Sequence, residues 1–226
     1  MKQATETGSN RTGIGIAPGM SKDMVELARQ SHPTPGNGHA IERIRHQYDL
    51  DSPGVGAIPE PRSVKGKGKA GLKKLMGKNP GFFMDKLGER LAFERSGARV
   101  YESILMKFEG TETWEGGPTA QDLRRHYDEE CAHFIMLREA MESLGGDPTA
   151  VTPAADITAV ASEGLIKVIQ DPRASFPESL EALLSIELTD HDGWEMLIRL
   201  SESLSQSALA ERFQSALSDE KEHLSD

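Results

Sequence analysis

The chain has 226 residues, a net charge of -10, 37% hydrophobic residues and a mean hydropathy of -0.48. Its single cysteine, Cys131, excludes an internal disulfide framework and a Cys-rich zinc site, and no stretch approaches the roughly 20 apolar residues of a membrane span. The low apolar content implies that part of the chain is not packed, and the acid excess favours cations over nucleic acid as partners.

Residues 1–78 are rich in Gly, Pro, Ser, Asn and Lys, with PTPGNGH, DSPGVGAIPEPR and KGKGKAGLKK as the clearest breaks. The first twenty residues lack a lysine-flanked apolar core, so no secretory signal is expected, and a reducing cytoplasm fits the single cysteine. Short helices are predicted at 20–31, opened by Ser21 as a cap, and at 40–48. The rest of this arm has too little apolar surface to offset its ordering entropy and reads as extended or disordered. Charge is uneven along the chain. Residues 1–61 carry six basic and seven acidic side chains, and residues 62–78 carry seven basic and no acidic ones. That leaves 13 basic against 29 acidic in 79–226, a net of -16. The basic segment 62–78 reads as a flexible tether, with electrostatic binding to DNA or another polyanion as the alternative.

From Pro80 the apolar pattern is helical. A first long helix is predicted over 81–109, with Glu94 in the stripe Leu87, Leu91, Glu94, Ala98, Tyr101, Leu105, Phe108. A second begins near Pro118–Thr119, with Gln121 and Asp122 in its first turn. It runs to the break Gly145-Gly146-Asp147-Pro148 and carries Leu123, His126, Glu130, Leu137 and Leu144 on one face. A short helix at 154–169 lies in the connection that follows, ended by Asp171-Pro172. The third long helix starts near Pro177-Glu178, a favoured first-turn proline, and runs to about 204, with Glu187 interrupting Leu180, Leu184, Trp194 and Ile198. The fourth spans about 206–224 and places Glu220 behind Leu209, Phe213 and Ala216. Strand-type alternation is absent. The fold class is therefore all-α, with 79–226 as two helical hairpins joined by a long crossover.

Residues three and four apart share a helix face, so Glu94, Glu130, Glu187 and Glu220 point inward with the apolar side chains. Isolated charges there are costly unless something cationic compensates them. Two of the four open the motif Glu-x-x-His, in Glu130-x-x-His133 and Glu220-x-x-His223. The motif alone is weak, because glutamate is common in this chain. Its weight comes from context: one inward acid per long helix, in the order Glu, Glu-x-x-His, Glu, Glu-x-x-His. Glu94 and Glu130 are 36 residues apart, Glu187 and Glu220 33, which gives the two halves a pseudo-repeat. Four inward carboxylates and two inward imidazoles match the needs of a pair of metal ions. The plainer reading is solvated helix-face charges or salt-bridged core residues. Glu129 and Asp219, each preceding an inward glutamate, are placed to accept a hydrogen bond from a ligand histidine. His126 and His191 lie one turn from Glu130 and Glu187 and read as hydrogen-bonded core histidines or as additional ligands. Tyr101 reads as a core tyrosine or as a redox or hydrogen-bonding group, Trp194 and Cys131 as core packing.

The segments LAFERSGARVYE, HYDEECAHF, SIELTDHDGWE and ALSDEKEHL resemble the di-iron carboxylate members of the ferritin-like superfamily, such as bacterioferritins and rubrerythrins, over about 81–226. The resemblance implies a ferritin-like four-helix bundle. In it Glu94 and His133 serve one metal, Glu187 and His223 the other, and Glu130 and Glu220 bridge the two. It also implies iron, with manganese as an option, since carboxylate and imidazole donors suit both. The expected activity is oxidation of Fe(II) with O2 or peroxide, for iron handling or oxidative-stress protection, with a homo-oligomer as an option. A non-catalytic metal-binding or partner-binding bundle and a di-iron oxygenase are the alternatives. A rubrerythrin's Cys-ligated iron module has no counterpart here, nor does the family domain have the 78-residue arm.

Overall fold

The computed structural model describes residues 16–31, 38–58, 80–109 and 113–226. All regular structure among them is helical, in seven helices: α1 (Pro18–Gln30), α2 (His39–Asp51), α3 (Pro80–Phe108), α4 (Ala120–Ser143), α5 (Pro153–Gln170), α6 (Phe176–Ser203) and α7 (Ser207–His223). They fall into two units, one ending at Gly54 with α1 and α2, the other running from Val55 with α3 to α7. None of the described helices is long and apolar enough to cross a membrane. The basic segment 62–78 lies outside the described residues.

In the first unit α1 starts earlier than its sequence suggests. Proline's fixed φ suits the first helical turn, so Pro18 opens the helix and Ala17 caps it without a side-chain bond. Ser21, expected as the cap, lies inside the first turn. Both helices leave large apolar side chains exposed, among them Met20, Met24 and Leu27 on α1 and Ile41, Ile44 and Tyr48 on α2.

In the second unit, caps fix where the long helices begin. Thr119 and Asp122 form a reciprocal capping box on α4, with Asp122 N–H donating to Thr119 Oγ1 (3.2 Å) and Thr119 N–H to Asp122 Oδ2 (2.9 Å). Ser175 and Glu178 do the same for α6. Thr152 caps α5, and its hydroxyl also donates to the Asp85 carbonyl of α3 (3.0 Å), so one residue starts α5 and pins it to α3. α4 stops at the Gly145-Gly146 break, where Gly145 takes a left-handed φ of 83°.

α3 packs on α4, α5 and α6; α6 also packs on α5 and α7, and α4 meets α7. Two apolar clusters result. One joins the first half of α3 (Phe83, Leu87, Leu91) to the second half of α4 (Leu137, Met141), late α6 (Trp194, Leu197) and α7 (Phe213, Leu217). The other joins late α3 (Val100, Tyr101, Ile104) to early α4 (Leu123), late α5 (Ile169) and early α6 (Phe176, Leu183, Ile186). Each fully buried aliphatic or aromatic side chain contributes about 1.5–3 kcal/mol. Glu94 lies between the two clusters on α3, Glu130 on α4 and Glu187 on α6, so the acids sit where the helices are most enclosed.

Some stripe assignments shift. On α6 the buried line runs through Leu183, Ile186, Asp190 and Trp194, while Leu184 is exposed. Cys131 is half-buried on α4 rather than packed in the core, whereas Trp194 is wholly buried.

Candidate metal centre

The four inward acids and the two motif histidines meet in one place. Glu94, Glu130, Glu187, Glu220, His133 and His223 are all buried. Their donor atoms form two overlapping groups, Glu94–Glu130–His133–Glu220 and Glu130–Glu187–Glu220–His223, each with its atoms within 4.8 Å of one another. Glu130 and Glu220 belong to both groups. His133 Nδ1 lies 3.1 Å from Glu220 Oε1 and 3.5 Å from Glu94 Oε2. His223 Nδ1 lies 3.3 Å from both Glu187 Oε2 and Glu220 Oε2, and 3.8 Å from Glu130 Oε1.

The far nitrogens are held crosswise. His133 Nε2, on α4, bonds Asp219 of α7 (3.1 Å), and His223 Nε2, on α7, bonds Glu129 of α4 (2.9 Å). A carboxylate at Nε2 fixes the proton there and leaves the Nδ1 lone pair facing the centre. Lone pairs aimed at carboxylate oxygens repel them unless a proton or a cation lies between. Both oxygens of Glu94 and of Glu220, Glu130 Oε2 and His133 Nδ1 are buried without a hydrogen-bond partner, although such groups in proteins are normally satisfied.

Without a cation the cluster gathers protons. Burial raises the Glu130 carboxyl well above its usual range, reinforced by Glu94 and Asp190, and lifts Glu187 to about 7 against the pull of His223. Burial alone would lower the two histidines, but Glu220 and Glu94 raise His133 to about 11, and Glu187 and Glu220 do the same for His223. Two divalent ions would cancel the four carboxylate charges and use the unpartnered oxygens and Nδ1 atoms as ligands, so the donor set fits such a pair.

Tyr101 lies one layer out and donates from Oη to Glu187 Oε1 (2.9 Å). Burial and the Glu187 charge raise its pKa well above the usual value, keeping it a neutral donor. His126 packs its ring 4.2 Å from that of His223 and sits 3.3 Å from Asp226 Oδ2. Burial and the facing His223 lower it to about 4. It forms a further potential ligand group with Glu129 and His223. His191 joins none of these groups among the described residues and is half-buried. At 100° per residue, position 190 and position 191 lie on opposite sides of Glu187's direction, and it is Asp190 that turns inward.

Asp190 pairs with an arginine that the apolar stripes do not mark. Arg90 Nη1 pairs with Asp190 Oδ1 at 2.6 Å and donates to the Asp190 carbonyl at 3.0 Å, while Nε lies 3.6 Å from Glu94 Oε1. Arg90 is only 4% exposed and stacks 4.0 Å over Phe93. The signal was available, because Arg90 precedes Glu94 by four residues and Asp190 follows Glu187 by three. Two glycines make room. A Cβ on Gly193 would lie 2.8 Å from Arg90 Cζ, and one on Gly97 would lie 2.7 Å from Glu130 Cδ.

Comparison of the chain with protein-family models, with curated proteins and with solved structures returns no match. The reading of this centre rests on its own residues.

Proposed function

We propose that α3–α4 and α6–α7 form the two hairpins of a ferritin-like four-helix bundle, with α5 in the crossover. On this reading the buried centre binds two metal ions, iron first and manganese as the alternative, and oxidises Fe(II) with O2 or peroxide. The observation that carries it is the pair of four-residue groups sharing Glu130 and Glu220, at a site where both oxygens of Glu94 and Glu220 and Oε2 of Glu130 have no hydrogen-bond partner. Glu94 and His133 would hold one ion, Glu187 and His223 the other, with Glu130 and Glu220 between them. Bound iron supplies the electrons that reduce the oxidant.

The chain's own residues do the rest. Asp219 and Glu129 keep the imidazoles turned so that Nδ1 faces the ions. Tyr101 holds Glu187 through Oη, leaving the second oxygen of that carboxylate, Oε2, directed toward His223. The Arg90–Asp190 pair cancels its own charge, so the positive guanidinium beside Glu94 does not oppose cation binding. The two apolar clusters exclude water from a centre in which charge interactions are strong.

Anaerobic titration should give about two tight Fe(II) per chain, and admission of O2 should then consume the ferrous signal. Glu130→Ala or Glu220→Ala should remove most of the capacity. Full stoichiometry in both variants refutes the metal assignment. Tight binding without ferrous oxidation leaves the metal site and removes the oxidase.

A further inference from the structure

A cavity of about 130 Å³ lies between α3, α5 and α6. Phe93, Val100, Ile166 and Ile186 give it an apolar lining, and the small residues Ala155 and Ala159 on α5 leave the space open. Ser96, Thr158 and Ser162 add hydroxyls, and Glu89 and the exposed Arg95 also line it. Gly97 lines it too, and that glycine is the residue against which the Glu130 carboxylate packs. Two further linings are chain neighbours of the centre, Phe93 beside Glu94 and Ile186 beside Glu187. Glu130 Oε2 is buried with no hydrogen-bond partner. The cavity and a candidate bridging carboxylate therefore share a wall that has no side chain. A second cavity, of about 220 Å³, runs beside Arg90 and Gly193 and shares Glu89, Thr158 and Ser162 with the first. The space under α5 thus follows α3 from Gly97 back to Arg90.

We propose that this cavity is a binding site for a small, uncharged, mainly apolar molecule, held beside the centre with only Gly97 between. Its size is close to that of an apolar protein cavity, about 150 Å³, that admits benzene. An anion is disfavoured, because Glu89 lines the same space and the Arg90 guanidinium nearby is already engaged by Asp190 and Glu94. The ligand's relevance to the metals rests on the proposed function, whereas its binding does not.

Benzene is the probe, applied to full-length protein loaded with Co(II). Saturation-transfer NMR should show benzene contacting the wild type, and the Co(II) absorption bands should shift as benzene is added. Ala159→Phe, which fills the space from α5 and lies far in sequence from every proposed ligand, should weaken benzene binding by about tenfold or more while Co(II) stoichiometry stays unchanged. Ser162→Leu provides a second filling variant should Ala159→Phe fail to fold. No benzene contact in the wild type, or undiminished contact in both folded fillers, overturns the proposal. Benzene contact with unshifted Co(II) bands overturns the placement beside the centre. If Co(II) does not bind at all, the proposed function fails, and the loss of benzene contact in the fillers still decides whether the cavity is a ligand site.

Discussion

Gly97→Ala offers a sharp perturbation, because it adds one methyl group and no charge. Alanine is the better helix former by about 0.8–1.0 kcal/mol, so on propensity alone the change would stabilise α3. The new Cβ would stand 2.7 Å from Glu130 Cδ, where carbon atoms prefer about 3.5–4.0 Å. The carboxylate must retreat by about 1 Å, against a tolerance of about 0.2 Å in a metal–ligand distance. Glu130 belongs to both groups of donors, so its displacement should weaken both sites together. Anaerobic Fe(II) titration followed by metal analysis should show affinity reduced by at least about a hundredfold, or about 2.7 kcal/mol per site. Gly164→Ala on α5 is the matched control, since nothing lies within 4 Å of the added methyl. It should raise stability by about 0.5–1 kcal/mol and leave metal binding untouched. If Gly97→Ala binds two ions with wild-type affinity, Glu130 is not a shared ligand.

Asp219→Asn or Glu129→Gln should lower affinity for one of the two ions by about 10–100-fold, read by competitive titration, because each carboxylate fixes a histidine tautomer. The metal-free protein should lose melting temperature as pH rises from about 6 to about 9. His133 and His223, raised from 6.5 to about 11, contribute stability that is full below 6.5 and disappears as pH climbs through 11. Glu187, raised from 4.5 to about 7, loses its share across that lower interval. His126, lowered to about 4, has the opposite sign but acts only as pH falls below 6.5. Metal-loaded protein should show a flatter profile, and a melting point of the metal-free form that rises over this range would contradict the proton-gathering cluster. Asp190→Ala should cost about 3–5 kcal/mol in chemical denaturation by stranding Arg90, whereas Arg90→Met with Asp190→Leu should come close to neutral.

The long helices and the inward acids were legible because an apolar stripe fixes a helix face, and a glutamate in that stripe has no other direction to point. The two Glu-x-x-His motifs were legible for the same reason, and Glu129 and Asp219 because each adjoins a motif glutamate. Phase errors entered where two adjacent residues straddle the stripe. Leu184 lost its place to Leu183, and Asp190 faces inward where His191 was considered. Arg90 is not legible locally, because an arginine in an apolar stripe passes for a solvated charge and its partner lies 100 residues further on. Gly97 could not be understood locally, since in a helix interior it looks like a weak point until Glu130 is seen against it. The cavity arises where small α5 residues meet α3 and α6, a long-range coincidence that no single segment displays.

The crosswise bonds of the two histidines also constrain how α4 and α7 can slide. A seam of small and aliphatic side chains tolerates translation of one helix by a residue, about 1.5 Å with a turn of about 100°. Such a slip would part His133 from Asp219 and His223 from Glu129 at the same stroke, because each helix both donates and accepts. Neither half can be satisfied in the wrong alignment. The pair therefore works as a two-pin key for helix registry, selecting one alignment among several that hydrophobic packing alone would leave nearly equal.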